Sequence, residues 1–555
     1  VYQPDPAPIG GSLVLSAVLA ALPLVTVFVL LGAFRVKAHW AALSGLAVAL
    51  AVAVAAYGMP VGMALSSAGQ GAAFGLLPIM WIVFTAIWLY QLTVTSGRFE
   101  DLRTCFGMIS PDPRIQAVVI AFCFGGLLEA LAGFGAPVAI TGMMLVAIGF
   151  PPLRAAVTVL LANTAPVAFG ALATPIITAG ELTGIPYEHI GAVVGRQTPV
   201  LALAVPFLLV LIVDGSRGLR ETWQAAAATG VGFAVAQFVC ANYMSVQLTD
   251  IVSSLVGAVA LVVLLRFWQP RGGEAAHERI GRATPTDGPS GGASATRTIV
   301  GERQRLSAAR TAMALLPYVL VVVVFSVVKL WEPLGDALDA TTVKIPWPGL
   351  HGELLTTSGE PSSTTVFSLS WLSSPGSLLL LCGFGVVAAY RIPLRAALSD
   401  LVGTAKSLRW SALAVVGVLA LAYVMNQSGQ TTTIGTAIAG AGAAFVFLSP
   451  VLGWIGVAVT GSDTSANALF AGLQQVAAQK VGVDPALLVA ANTSGGVMGK
   501  MVSPQNLSIA ASAVGLVNQE ATLLRVTLKW SLGLLLALCV LVFLQATVLA
   551  WMLPQ

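Results

Sequence analysis

The feature that most limits how this chain can fold is its series of uninterrupted apolar runs, each about 20 residues long. A run of that length crosses roughly 30 Å of hydrocarbon as a helix, and it has no polar face to turn to water. Charged residues make up only 9% of the 555, against roughly 25% in soluble domains. The alternating ~10-residue segments of a membrane β-barrel do not occur. The expectation is an all-α polytopic membrane protein lying in a lipid bilayer. A net charge of +4 gives no case for a nucleic-acid partner. The five cysteines are scattered without a C-x-x-C pair, so neither a disulfide framework nor a metal site is indicated. No cofactor is implied. The opening V-Y-Q-P-D-P-A-P-I lacks the basic region of a signal peptide, and the first apolar run is expected to remain as a span.

Charge patterning orients the spans. The first three are expected at about 12–34, 40–57 and 72–95, with an uncharged loop to about residue 70. Arg35, Lys37, Arg98 and Arg103 follow spans one and three. The excess of positive charge on cytoplasmic loops places them inside and the N-terminus outside. Residues 115–128 and 138–150 are apolar but too short to cross, and Arg114 and Arg154 flank them. A re-entrant hairpin over 115–150 satisfies both facts, its tip tolerated at depth only against protein or a water-filled cavity. Span four (155–179) is expected to break near 163–166 and again near 174–175. Span five covers 189–213, and 214–221 returns to the cytoplasm. Spans six (223–244) and seven (251–267) form a linker pair, and 269–310 reads as a flexible, Arg-rich cytoplasmic segment.

In the second half, spans eight (311–330) and nine (375–390) enclose an acidic loop, 331–374, that belongs outside. Span ten covers 410–427, a second hairpin 434–478, a broken span eleven 486–517 and span twelve 527–552, which leaves the C-terminus outside. The total is about 12 transmembrane helices plus two re-entrant hairpins. Span ten runs opposite to span three, and the two hairpins open to opposite sides. The expectation is two inverted repeats, 1–222 and 311–555, joined by 223–310. That architecture belongs to alternating-access transporters.

The polar residues repeat too. L-A-N-T-A-P-V-A-F-G-A-L-A-T-P at 161–175 is echoed by A-A-N-T-S-G-G-V-M-G-K-M-V-S-P at 490–504. Asn163, Gly170 and Thr174 map onto Asn492, Gly499 and Ser503 at a constant offset of 329. Polar, Gly- and Pro-rich interruptions at corresponding places in very apolar surroundings are the best sequence pointer to the substrate site of a repeat-built transporter. Ionisable groups deep in a bilayer are costly, and the deep ones are few: Glu129, Arg196, Asp463 and Lys500. An anionic substrate needs donors and positive potential. Helix N-termini at the breaks and glycine-rich backbone supply both. Gly133, Gly135, Asn163, Thr164, Thr174, Thr464, Ser465, Asn492, Thr493, Ser494 and Ser503 are the candidate substrate contacts, with Lys500 or Arg196 as counter-charge. Proton coupling needs a carboxylate that protonation can neutralise. Asp463 and Glu129, at the two hairpin tips, are the candidates. Each also has a plain structural reading: Glu129 as an ion-pair partner, Asp463 as a helix cap, Lys500 as a snorkelling side chain. Asp214 and Asp250 are taken to sit at span ends.

F-C-F-G-G-L-L-E-A-L-A-G-F-G-A-P-V-A-I-T (122–141), N-T-A-P-V-A-F-G-A (163–171), G-R-Q-T-P (195–199), T-G-S-D-T-S-A-N-A-L-F (460–470) and A-A-N-T-S-G-G-V-M-G-K-M-V-S-P-Q (490–505) resemble the bacterial lactate permease family. The resemblance runs over essentially the whole chain. It implies a symporter of the bacterial cytoplasmic membrane that takes up L-lactate, and in several members glycolate, with protons. It also implies kinship with a wider ion-transporter superfamily built on paired hairpins and Asn-Thr motifs. The residues alone support only a small anion.

Other classes fit less well. Sodium-coupled di- or tricarboxylate uptake would want more fixed positive charge than Lys500 and Arg196 provide. An intramembrane serine protease needs a deep histidine, whereas His39, His189, His277 and His351 lie near span ends or in loops. An intramembrane aspartyl protease needs two deep aspartates, and only Asp463 is placed deep. A channel fits the asymmetric, polar hairpin tips less well than gated occlusion does.

Overall fold

The computed structural model describes residues 1–133, 135–282, 307–357, 359–516 and 519–554. Phe134, within the first hairpin tip, and 283–306, most of the segment read as a flexible linker, lie outside the described residues. Among the described residues, ten helices are long and apolar enough to cross a membrane, fewer than the twelve spans expected. Part of the difference is that spans five and six run together. Tyr187–Val239 is one helical path through spans five and six, interrupted only at Gly215 and Thr222. The loop expected before span three is instead the helix Val61–Phe74, continuous with the span to Thr95 except for a non-helical residue at Leu77, before Pro78.

The first hairpin departs from expectation in its leading arm. Pro113–Ala132 is a helix of 20 residues, long enough to span, and its apolar window is entirely inside the protein. It starts earlier because Asp112 caps it, its Oδ1 accepting from the Arg114 amide at 2.9 Å. It runs later because Glu129 is held inside the helix rather than at an exposed turn. The reversal comes at Gly133 and Gly135, the latter at φ 87°, a left-handed conformation that glycine adopts without strain. Ala136–Ala147 returns.

Broken span four is two helices, Pro152–Ala162 and Thr174–Thr183, with one long interruption that includes both expected breaks. In the second half, Ala443–Thr460 and Asp463–Val481 meet at a turn through Gly461 and Ser462. Pro485–Lys500 and Pro504–Ala513 follow, separated by three residues. The all-α expectation misses one small feature. The acidic loop 331–374 carries an antiparallel pair, Val343–Pro346 with Val366–Leu369.

Two apolar cores form. One surrounds the first hairpin, span four and the Pro485–Lys500 helix. The other joins the first three spans to the Leu394–Ser428 helix and much of Asp463–Val481. Long-range bonds show which segments share an end of the molecule. Tyr2 pairs with the acidic loop (Tyr2 N to Glu353 O, 2.7 Å), and Gln70 Nε2 donates to Thr364 O at 2.8 Å. At the opposite end Arg114 meets Asp112 (2.7 Å), Asp214 (3.4 Å), Glu221 and the Arg271 carbonyl (2.7 Å). Arg279 joins this cluster through Asp214 at 2.7 Å. Each grouping collects segments that charge patterning assigns to one side.

Candidate functional site

The Pro485–Lys500 helix is pressed against Ala443–Thr460 through glycines. A Cβ at Gly495 or Gly499 would overlap the carbonyl oxygens of Pro450 and Trp454, and one at Gly453 would overlap the Asn492 carbonyl. Close backbone approach of this kind is how helices gain contact where lipid gives no hydrophobic drive. It fixes the end of the helix, and there Lys500 reaches across to the first hairpin. Its Nζ donates to Glu129 Oε1 at 2.7 Å. The other carboxylate oxygen accepts from Asn163 Nδ2 at 2.9 Å. Glu129 is 2% exposed and Lys500 9%. The pair is thus desolvated, hydrogen-bonded on both carboxylate oxygens, and drawn from three separate stretches of chain.

Asp463 lies beside it in a different condition. The helix it begins is capped by Ser462, whose Oγ accepts from the Ser465 amide at 3.3 Å, so Asp463 does not serve as the cap. Its carboxylate lies against the Cα of Gly496. Both oxygens are buried, and neither has a hydrogen-bond partner among the described residues. An ionised carboxylate held that way costs several kcal/mol.

These groups line a cavity of about 1160 Å³. It runs from the exposed Arg35, Lys37, Trp40 and Trp410 down to Glu129, Lys500 and Asp463. Its walls come from both apolar cores, Val415 from one and Val167, Val502 and Leu507 from the other. Four helices begin at its wall, those starting at Ala136, Thr174, Asp463 and Pro504, and Gly135, Thr174, Asp463 and Pro504 are all lining residues. Each N-terminus presents the positive end of a helix dipole. Together with Lys500 they gather positive potential at one place in the cavity.

The residues singled out from sequence fall into three groups. Glu129, Gly133, Gly135, Thr174, Asp463, Thr464, Ser465 and Lys500 line the cavity. Asn163, Thr164, Asn492, Thr493, Ser494 and Ser503 stand behind it. Asn492 Nδ2 donates to Asn467 Oδ1 at 2.8 Å, and Asn467 Nδ2 donates to Thr493 Oγ1 at 2.8 Å and to the Pro175 carbonyl at 3.0 Å. Thr164 Oγ1 donates to the Leu161 carbonyl. Ser503 caps the Pro504 helix, accepting from the Asn506 amide at 3.3 Å. Arg196 is elsewhere. Its guanidinium donates to Asn242 Oδ1 (2.8 Å) and to the Met552 carbonyl (2.6 Å), which pins the C-terminal segment. A half-buried cation finds acceptors wherever the fold offers them, and here they lie away from the cavity. Its neighbour Gln197 is the one tied to the site region, accepting from Ser494 Oγ at 2.7 Å and donating to Gln545 Oε1 at 3.1 Å. Sequence reasoning passed over Gln197 and Asn467 because, unlike Asn163 and Asn492, they are neutral amides outside the repeated spacing. It placed Asp250 at a span end, yet that residue is 1% exposed.

Comparison with known proteins gives a consistent family. The model of the L-lactate permease family matches residues 16–549. The chain is 42% identical to the glycolate permease GlcA of Escherichia coli (strain K12) over 98% of each chain. It is 41% identical to the L-lactate permease of Bacillus subtilis (strain 168) over 99% of each. To the L-lactate permease of Escherichia coli (strain K12) it is 41% identical, over 99% of this chain and 98% of that one. Among solved structures, the YdaH transporter of Alcanivorax borkumensis aligns over 88% of both chains at 15% identity with a TM-score of 0.46. A match that omits only the extreme ends, with identity above two-fifths to relatives of the same length, establishes that the chain belongs to the L-lactate permease family.

Proposed function

We propose that the protein is a secondary transporter of the bacterial cytoplasmic membrane that takes up L-lactate and related 2-hydroxymonocarboxylates, D-lactate and glycolate among them, together with protons. The substrate class follows the relatives named for L-lactate and for glycolate. The observation that carries the reading is the convergence of four helix N-termini on the buried Lys500–Glu129 pair at the floor of one cavity. Each N-terminus favours an anion by about 0.3–1 kcal/mol, and Lys500 supplies the full positive charge at the floor, with Arg35 and Lys37 at the rim. One cation and dispersed dipoles suit a monoanion. A tri-anion would need more.

Glu129 occupies Lys500 in this state, so a substrate carboxylate must compete with it. Protonation of Glu129 would free Nζ for the substrate and keep the site's charge unchanged when the anion enters. Asp463, without donors of its own, would carry the second proton position at the cavity wall. Anion and proton then load together, which is the basis of symport. The basic rim of Arg35 and Lys37 marks the cytoplasmic end by charge. The cavity is therefore read as open to the inside, with both termini outside, and alternating access would expose the same site to the exterior. The halves 1–222 and 311–555, related as inverted repeats about the 223–310 linker, are the proposed moving framework.

The test is uptake of labelled L-lactate into proteoliposomes under an imposed pH gradient, with and without sodium. Competition with D-lactate, glycolate and citrate defines the substrate. Accumulation driven by protons alone and competed by the 2-hydroxymonoacids is expected. A requirement for sodium, or competition by citrate alone, would overturn both coupling ion and substrate.

A further inference from the structure

A third buried carboxylate stands behind the ion pair and outside the cavity wall. Asp250 lies in the first turn of the helix Thr249–Phe267 and is 1% exposed. Among the described residues neither of its oxygens has a hydrogen-bond partner, and nor does Ser254 Oγ one turn further along. This face of the helix packs against the leading arm of the first hairpin, where Ser254 sits so close to Gly126 that a Cβ there would overlap its hydroxyl. The two helices are antiparallel, since Arg114 at the start of one bonds the Arg271 carbonyl just beyond the end of the other. One turn from Gly126 in one direction is Glu129, and one turn from Ser254 in the other is Asp250. The packing therefore brings Asp250 level with Glu129. The charged or titratable groups that face it are Glu129 from the hairpin arm, Lys500 from the Pro485–Lys500 helix and Cys240 from the Cys240–Met244 turn. Asp250 follows directly on the 240–248 connection, at the end of the molecule away from the Arg114 cluster and the cavity mouth.

We propose that Asp250 is the proton-relay residue on the closed side of the site, passing a proton between that end of the protein and Glu129. The step moves one proton and nothing else. The Asp250 carboxyl gives up its hydrogen, the Glu129 carboxylate accepts it once the two side chains move into hydrogen-bonding distance, and Asp250 is reprotonated from the far end. Neutral Glu129 releases Lys500 to the substrate carboxylate. This role rests on the proton-coupled reading above, and it gives protons a route that does not pass through the substrate cavity.

The experiment compares the wild-type protein with Asp250→Asn and Asp250→Glu in proteoliposomes. It measures both pH-gradient-driven net uptake and lactate–lactate exchange at equal pH, with thermal unfolding in detergent as a check on folding. For Asp250→Asn the relay role predicts net uptake reduced at least about tenfold, with exchange within about twofold of wild type. Asp250→Glu should restore most net uptake. Proton-driven uptake preserved in Asp250→Asn would overturn the proposal. So would loss of exchange together with uptake in both variants, which would mark Asp250 as structural. A wild-type protein indifferent to the pH gradient would instead remove proton coupling itself, and this role with it.

Discussion

The stretches 161–175 and 490–504 share their spacing residue for residue, yet they fold differently. In the first, the helix ends at Ala162, and Asn163 stands at its end with its amide free to reach Glu129. In the second, helix continues through Asn492 and Thr493 to Lys500. The cause is local. Pro166 lacks an amide hydrogen and disfavours helix at the residue before it, whereas no proline interrupts the second stretch before Pro504. The matched glycines differ as well. Gly170 has φ 37° and ψ −149°, a conformation other residues rarely adopt, while Gly499 is helical and small because the Trp454 carbonyl lies against it. One spacing thus serves two ends: a broken helix that presents an amide to a carboxylate, and a whole helix that delivers a lysine to it.

The strongest way to break this picture is Lys500→Met. It strands Glu129 without its cation, and removing one partner of a buried pair costs about 3–5 kcal/mol. Thermal unfolding in detergent should show that loss, and the double variant Glu129→Gln/Lys500→Met should recover most of it without recovering uptake. A single variant as stable as wild type would mean the pair does not join the two stretches.

Asparagine replacement separates the copies. Asn163→Ala bares an oxygen of Glu129, and a bond to a charged group contributes about 1.5–3 kcal/mol, enough to lower uptake roughly tenfold. Asn492→Ala removes a neutral bond to Asn467 and should cost stability of about 1 kcal/mol with uptake less affected. Equal effects on uptake would argue that the copies do the same job. The glycines test the local causes. At Gly499 the cost should grow with side-chain size, starting at about 1–3 kcal/mol for Ala. At Gly170 it should be about 1–3 kcal/mol and nearly equal for Ala and Ser, because backbone conformation sets it. Unfolding temperatures of the Ala and Ser variants at each glycine decide between them. The smallest effect on transport is expected from Arg196→Ala. Uptake at saturating lactate should stay within about twofold of wild type, since the guanidinium binds Asn242 and Met552 rather than the cavity. A large rise in KM would return Arg196 to the site.

Much of the site was legible from residue types. Glu129, Asp463 and Lys500 stand out because charge is rare in such apolar surroundings, and all three line the cavity. Arg196 carried the same signal and proved to be anchored to the C-terminal segment. Asp250 carried it too but was set aside, because its place at the edge of an apolar run looked like a boundary with water. The hairpin arm packed on its helix removes that water, and nothing near Asp250 in sequence says so. The first arm of that hairpin was likewise read as too short, because Glu129 seemed to end it. Its partners, Lys500 and Asn163, lie 371 and 34 residues away.

Sequence by itself determined that this chain is helical and membrane-embedded, that a helix breaks at Asn163, and that Glu129, Asp463 and Lys500 lie deep. Those follow from hydrocarbon's intolerance of exposed polar groups, a constraint each short segment meets alone. Tertiary structure decided which charge met which. Lys500 found Glu129, Arg196 found Met552, and Asp463 and Asp250 found no hydrogen-bond partner among the described residues. Pairing depends on distances between segments far apart in the chain, and those are fixed by glycine-mediated helix contacts and antiparallel packing that no local pattern contains.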